Sequence, residues 1–300
     1  MTAPTLEGRL ICACTCTYAV TMGGPLSLDA ADVYAAGAGF VQPPAAFVGG
    51  DERINGCLVG TLPDGVVVAF RGTLSFDIHS HPTLLDWLGD FNAEPTPLDG
   101  FPGQVHGGFL AALGTLWDEV LAEVAAQRVG PAATQPLLVT GHSKGGALAA
   151  LAAWRLQTAA GVPTKVVTFA APKVGNRAFR DAYNAQMNHT RYEYADDIVP
   201  HLPASKGGFL EVLAALPVIG ARFGGLQRFD YEPVGALRFI DWSGGFDDDT
   251  PTLTVERTLS LVRLITRQRF PQIAADHAIA CGSGYMSAVC PTGVCPAPLP

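Results

Sequence analysis

A serine flanked by glycines stands where an apolar segment changes into a run of small residues. Residues 137–140 are apolar and β-prone, and residues 147–154 carry apolar side chains at helical spacing. Between them, Gly141, Ser143 and Gly145 form the pattern G-x-S-x-G. A sharp strand-to-helix turn holds such a serine at the edge of a sheet, and glycine leaves room for that turn. The pattern predicts a nucleophilic serine at position 143.

The residue after this serine opens the predicted helix. The first amides of a helix point toward negative charge that develops beside its N-terminus. We therefore predict that the Lys144 backbone N–H is a donor to an oxyanion.

A serine hydroxyl needs an imidazole to take its proton and a carboxylate to orient the imidazole. In folds with this turn the acid follows the serine and the histidine comes last. His277 lies in a loop late enough to leave room for the acid. His201 is too close to the best acid, and His189 precedes a strand at its wrong end. His142 adjoins the serine, and its strand position predicts a packed structural residue. We predict His277 as the base.

Two candidate acids follow a predicted strand at residues 191–194. Asp196 and Asp197 stand at the carboxyl edge of the sheet, where the sites of open α/β sheets lie. Adjacent side chains diverge, so only one can face the imidazole, and spacing does not choose between them. A pair of solvated loop carboxylates is the alternative interpretation.

Composition bounds the class of protein. The chain has 300 residues, of which 48% are hydrophobic and 15% charged, so we expect one domain, 1–300, with a well-filled core. Its net charge is −8 and it has no basic run, which argues against a nucleic-acid partner.

Strand-like runs alternate with helical patterns along the chain. This alternation predicts an α/β fold with a mostly parallel sheet and helices on both faces. The predicted strands are residues 66–70, 137–140, 165–169, 191–194 and 236–242, and the clearest helices are residues 109–124 and 255–268.

The apolar residues 207–225 are the one stretch that resembles a membrane span. Glu211, Pro217 and Arg222 interrupt them, which argues against a transmembrane helix. We expect a cap-like insertion near 207–227 that touches substrate or a lipid surface, with a plain core helix as the alternative.

The N-terminus lacks the basic start and long hydrophobic stretch of a secretory signal, so we expect a cytoplasmic location, with secretion as the alternative. Cys12, Cys14 and Cys16 alternate as on one side of a strand, and no matching zinc-type pair lies nearby. We interpret them as small buried thiols. The acidic run at residues 247–249 precedes a helix, whose N-terminal field explains it more simply than calcium does. We predict no metal and no cofactor.

Taken as a set and in order, the motifs resemble those of the class 3 lipases, the fungal-type triacylglycerol lipases of the α/β-hydrolase fold. The resemblance covers roughly residues 60–285 and implies that fold. The matching segments are VVVAFRGT at 66–73, DWLGDF at 86–91, VHGGF at 105–109, GHSKGG at 141–146, TFAAPKVGN at 168–176 and DDIVPHLP at 196–203.

This resemblance also implies roles for individual residues. It selects Asp197 as the acid, carries the base over to His277 with Tyr285 as the later tyrosine, and gives Thr73 as the second oxyanion donor. It places a lid near 74–86, although the polar His79 and His81 indicate a weak lid or none.

The resulting hypothesis is a serine carboxylester hydrolase that acts on lipid esters at a membrane or oil interface. Phospholipase A and short-chain or aromatic-ester esterase are alternatives within the same mechanism, because the pocket decides between them. A non-catalytic lipid-binding protein on the same fold is the alternative of another class. Many class 3 lipases have an apolar residue where Lys144 stands. Its cation would favour anionic esters or phospholipid head groups, unless the side chain points away into a salt bridge.

Overall fold

The computed structural model describes residues 4–21, 23–28, 32–73, 80–90, 93–217, 220–225, 229–290 and 295. In these residues a nine-stranded sheet has the order β1-β2-β3-β4-β7-β8-β9-β10-β11, and β5 pairs with β6 in a separate small sheet. The strands are β1 Gly24–Pro25, β2 Ala45–Gly49, β3 Asn55–Leu62, β4 Gly65–Phe70, β5 Pro95–Pro97, β6 Gln104–His106, β7 Leu137–His142, β8 Thr164–Phe169, β9 Asn188–Tyr194, β10 Ala236–Ile240 and β11 Phe246–Asp247.

The centre of the sheet, from β4 through β7, β8 and β9 to β10, is parallel. Antiparallel strands close both edges. The α-helices are α1 Leu6–Cys16, α2 Val33–Ala38, α3 His81–Asp90, α4 Gly107–Gly114, α5 Trp117–Gln127, α6 Lys144–Thr158, α7 Arg177–Gln186, α8 Phe209–Ala214, α9 Gly220–Phe223, α10 Pro251–Thr266, α11 Phe270–Asp276 and α12 Gly284–Val289.

Both faces of the sheet are buried. In β4, Val66 and Val68 pack into the core on the side of α5 and α6, while Val67 and Ala69 pack into the core on the side of α1 and α12. A strand covered on both faces needs the continuous apolar run that this one has. The predicted α/β class with helices on both faces is confirmed, and each predicted strand is present.

Two local expectations were wrong. The predicted helix at residues 109–124 is two helices. The hydroxyl and the backbone N–H of Thr115 both donate to the Ala112 carbonyl oxygen, and this ends α4. Residues 12–16, whose alternating cysteines fit one side of a strand, are part of α1. Its N-cap Thr5 accepts a hydrogen bond from the Gly8 N–H, and the helix is buried on nearly every side, which removes the periodicity that distinguishes helix from strand.

The segment predicted as a cap contains α8 and α9, and residues 218–219 and 226–227 lie outside the described residues. Phe209, Leu213 and Phe223 of this segment are buried in the core. The cap role stays a prediction. Within the described ranges, no helix is long and apolar enough to cross a membrane.

Candidate active site

Ser143 occupies a strained turn between β7 and α6. Its φ of 57° and ψ of −132° lie in a region that non-glycine residues rarely adopt. Its N–H donates to the Phe169 carbonyl of β8 at 3.0 Å, which fixes the turn to the neighbouring strand. A Cβ on Gly141 would lie 2.1 Å from the Gly145 carbonyl oxygen, and a Cβ on Gly145 would lie 2.1 Å from that of Phe70. Neither position can therefore hold a side chain, because its Cβ would clash with a backbone oxygen.

The predicted base and acid meet beside this turn. Asp197 follows β9, His277 caps α11, and both are almost fully buried. The His277 Nδ1 lies 3.0 Å from Asp197 Oδ1 and 3.1 Å from Oδ2. A carboxylate accepts, so Nδ1 carries the proton and Nε2 of the neutral ring is left as a base.

Further donors hold the Asp197 carboxylate. The Tyr285 hydroxyl donates to Oδ2 at 2.8 Å and the Val199 N–H donates to Oδ1 at 3.0 Å. Burial raises the pKa of Tyr285 well above its usual value, and the adjacent Asp197 adds to this rise, so the phenol keeps its proton. Asp196 instead accepts from the indole N–H of Trp242 at 2.7 Å. The structure thus separates two aspartates that spacing left equivalent.

His142, predicted as a packed structural residue, is buried and also tied to the base. Its Nε2 donates to the His277 carbonyl oxygen at 2.8 Å, so its Nδ1 is free to accept from the Tyr18 hydroxyl at 2.6 Å. Burial lowers the pKa of His142 well below its usual value, with the neighbouring His277 as the next cause. The ring is neutral, as both bonds require. Nothing local in the sequence indicates the role of Tyr18, which lies 124 residues from His142.

A cavity of about 570 Å³ opens beside the serine. Its lining combines small apolar side chains with polar ones, and it includes Thr73, His142, Ser143 and His277. The other lining residues are Thr15, Cys16, Tyr18, Ala19, Asp32, Tyr34, Ala274, Ala278, Ile279 and Ala280. The space suits an acyl chain, with the reactive groups at one side.

The two residues predicted as oxyanion donors both lie near the serine turn. Lys144 is the first residue of α6. Thr73 lines the cavity and directly follows Gly72. A Cβ added to Gly72 would lie 3.0 Å from the Ser143 Cβ and 2.3 Å from the Tyr18 hydroxyl oxygen. The end of β4 therefore passes directly against the turn that holds the nucleophile.

The side chain of Lys144 turns away from the cavity. Its ammonium donates to Asn55 Oδ1 at 3.0 Å, and burial lowers its pKa. The partner is a neutral amide, so the expected salt bridge is not what holds it. The cation is not among the lining residues.

Part of the predicted lid, residues 74–79, lies outside the described residues. The remainder begins α3, where His81 is buried with its ring 5.2 Å from that of Phe270 and 6.2 Å from that of Phe223. Among the described residues, no group of three His, Cys, Asp or Glu side chains is placed to hold a metal. Cys12, Cys14 and Cys16 are buried thiols of α1, and the Cys14 sulfur lies 3.2 Å from the Thr140 hydroxyl.

The family model for lipase (class 3) matches residues 67–207. Over this region the chain is similar to the class 3 lipase family. Among the curated relatives, secreted mono- and diacylglycerol lipase A from Penicillium cyclopium is 28% identical over 190 residues, covering 62% of this chain and 57% of the relative. Secreted mono- and diacylglycerol lipase 1 from Fusarium solani is 34% identical over 151 residues, covering 48% of this chain and 41% of the relative.

Solved lipase structures share the fold. A mutant form of MDLA from Penicillium cyclopium matches with a TM-score of 0.62 at 22% identity, over 94% of this chain and 96% of that one. A triacylglycerol lipase, described as having a serine protease triad as its catalytic centre, matches with a TM-score of 0.61 at 22% identity, over 83% and 87%. The predicted α/β-hydrolase fold is confirmed.

The chain spans 57% of the Penicillium relative's length and 41% of the Fusarium relative's. The names of these relatives contradict one expectation. Both are called secreted lipases, so the predicted cytoplasmic location is wrong.

Proposed function

We propose that the chain hydrolyses lipid esters, with Ser143 as the nucleophile, His277 as the general base and Asp197 as the residue that orients His277. One observation carries the proposal. The Nδ1–carboxylate contact of 3.0 Å lies at the wall of the cavity that also holds the strained serine. The relatives with lipase names support the same activity.

The reaction follows from the proton positions. The Ser143 hydroxyl attacks the acyl carbonyl carbon while His277 Nε2 takes its proton, and Asp197 stabilises the imidazolium. The Thr73 and Lys144 backbone N–H groups receive the oxyanion, each such donor being worth about a hundredfold or more in rate. Collapse expels the alcohol, which takes the proton from the imidazolium. Water, activated by the same imidazole, then frees the fatty acid.

The lining of the cavity supports uncharged acylglycerols as substrates over anionic phospholipids. Among the lining residues that the structure describes, Asp32 is the one carboxylate and there is no lysine or arginine. An anionic head group beside Asp32 would meet repulsion with no compensating cation. The names of the relatives include both mono- and diacylglycerol lipase and, from Arabidopsis thaliana, phospholipase A(1). The negative charge of the lining favours mono- and diacylglycerols as substrates over phospholipids.

The proposed site of action is a lipid interface outside the cell. The secreted relatives support this location, and so does the disulfide between Cys281 and Cys295, because disulfides persist in oxidising compartments. A lid near 74–86 belongs to the same proposal. It requires activity to rise sharply once an ester exceeds its solubility limit, and a smooth saturation curve would reject it.

Fluorophosphonate labelling tests the catalytic assignment. The probe phosphonylates an activated serine, so we expect labelling of the parent chain at Ser143, together with hydrolysis of emulsified monoacylglycerol. Ser143→Ala should lose both, whereas Ser287→Ala, which removes an exposed hydroxyl in α12, should lose neither. An unlabelled but folded parent would support a non-catalytic lipid-binding protein. Labelling that survives in Ser143→Ala would reject the nucleophile.

A further inference from the structure

Three arginines and a tryptophan line a hollow on the other side of α11 from the serine cavity. The hollow has a volume of about 460 Å³, and its lining residues are Asp196, Trp242, Ser260, Arg263, Leu264, Arg267, Arg269 and Gln272. Gln272 faces this hollow, and Ala274, two residues further along α11, faces the serine cavity. Two residues correspond to about 200° around a helix, so one short helix divides the two spaces.

Within the described ranges, the arginines of this hollow have no carboxylate partner. Arg263, Arg267 and Arg269 are exposed, and in the part of the chain that the structure describes none of them forms an ion pair. The partial negative charge at the C-terminus of α10 favours cations there, which partly explains Arg263 and Arg267. It does not explain Arg269, which lies beyond that helix.

The one carboxylate of the hollow is already engaged. Asp196 is 3% exposed, and its Oδ2 accepts from Trp242. Among the described residues that line the hollow, three cations and one buried anion leave a surplus of positive charge, on a chain whose net charge is −8. Surplus cations that are exposed and convergent attract an anionic surface.

Trp242 indicates which kind of anionic surface fits. Its indole N–H is held by Asp196 and its ring packs against Phe239 with centroids 5.7 Å apart, yet 43% of the residue is exposed. A fixed, half-exposed indole is the side chain that favours the boundary between water and lipid. Arginines beside it match the anionic head groups of that boundary. An acidic protein would use the charges and leave the tryptophan unexplained, and the net charge of −8 argues against a nucleic acid.

We propose that the surface formed by Trp242, Arg263, Arg267 and Arg269, the arginine surface, docks the protein on an anionic lipid interface. The inference rests on the proposed hydrolysis of lipid esters and adds how the protein reaches its substrate. A helix is about 10 Å across, so docking here holds the serine cavity close to the lipid. Hydrolysis itself releases fatty acid carboxylates, so docking strengthens as the reaction proceeds.

Vesicle binding tests the proposal independently of hydrolysis. Vesicles of ether-linked phosphatidylcholine, with and without ether-linked phosphatidylglycerol, offer a neutral and an anionic surface that no esterase can cleave. We expect the parent chain to prefer the anionic vesicles at low salt. The variant Arg263→Gln, Arg267→Gln, Arg269→Gln should lose about fivefold in partitioning per arginine, about a hundredfold in all. The preference should also fall as salt is added.

A charge-matched control carries Lys165→Gln, Arg177→Gln and Lys206→Gln, which removes three positive charges from residues that do not line the hollow. It should bind almost as the parent does. Equal losses in both variants, or no preference of the parent for anionic vesicles, would overturn the docking surface. Both variants should keep full activity toward a dissolved short-chain ester. A parent inactive on that ester would defeat the proposed function instead, whatever the vesicles show.

Discussion

His142 Nε2 lies 2.8 Å from the carbonyl oxygen of His277, so the residue that precedes the nucleophile also holds the backbone of the base. The Tyr18 hydroxyl completes this arrangement by donating to the other ring nitrogen at 2.6 Å. Three residues far apart in sequence therefore fix the distance between the serine turn and the loop that carries the imidazole.

Tyr18→Phe removes the hydroxyl and keeps the ring. It leaves the buried His142 Nδ1 without a donor, which costs about 1–3 kcal/mol of unfolding free energy. Because His142 then holds His277 less firmly, we expect kcat to fall while KM changes little. Urea denaturation and steady-state kinetics on a soluble ester measure the two effects. Tyr34→Phe, at a second tyrosine of the cavity, is the control, and an equal loss of kcat there would contradict the positioning role.

Asp32→Asn tests the source of charge selectivity. Asp32 caps α2 by accepting from the Tyr34 and Ala35 N–H groups, and asparagine retains that cap while it removes the charge. We expect kcat/KM for an ester with a terminal carboxylate to rise about fivefold relative to its uncharged analogue at low salt. Competition between the two esters measures the ratio. Asp51→Asn, at an exposed carboxylate that does not line the cavity, should leave the ratio unchanged. A constant ratio in Asp32→Asn would exclude Asp32 as the source.

Gly145→Ala tests the contact that the serine turn requires. The added Cβ would lie 2.1 Å from the Phe70 carbonyl oxygen, a backbone atom that cannot move without displacing β4. We expect a loss of about 4 kcal/mol or more of unfolding free energy, or failure to fold. Gly114→Ala is the matched control, because its Cβ would meet nothing within 4 Å. Thermal unfolding should show a stability near that of the parent for this control, and similar losses in both variants would argue against the contact.

Acid should destabilise the protein between pH 6.5 and pH 4.5. Burial lowers the pKa of His189 to about 3, with Arg191 as a second cause, and burial together with Arg257 lowers that of His201 to about 3. In this window the unfolded chain takes up these protons and the folded chain does not, so stability falls as the pH falls, by about 1.4 kcal/mol per pH unit for each histidine.

Asp276 acts in the opposite direction. Burial raises its pKa to about 7, so the folded chain binds a proton there before the unfolded chain does. One carboxyl group does not offset two histidines, and the net slope remains a loss of stability toward acid. The urea midpoint at several pH values measures this slope, and His189→Gln should make it shallower. A midpoint that rises from pH 6.5 to pH 4.5 would be inconsistent with neutral buried histidines.

The sequence predicted the parts of the site that local rules determine. The G-x-S-x-G turn and the apolar strands need only their own residues and neighbours. The order of serine, acid and base located His277, while the choice between Asp196 and Asp197 came from resemblance. The engagement of Asp196 by Trp242 supplies the physical reason for that choice. Contacts between distant segments could not be predicted, because no local pattern connects Tyr18 to His142 or Lys144 to Asn55.

The catalytic assembly draws on both ends of the described fold. Tyr18 follows α1, and Tyr285 lies in α12, 88 residues beyond the aspartate it holds. During synthesis the serine turn leaves the ribosome long before either the imidazole loop or the last helix. A nascent chain halted before residue 285 would therefore carry the nucleophile without the hydroxyl that secures its acid. Competence to cleave an ester should arrive all at once, only after residue 285 has left the ribosome.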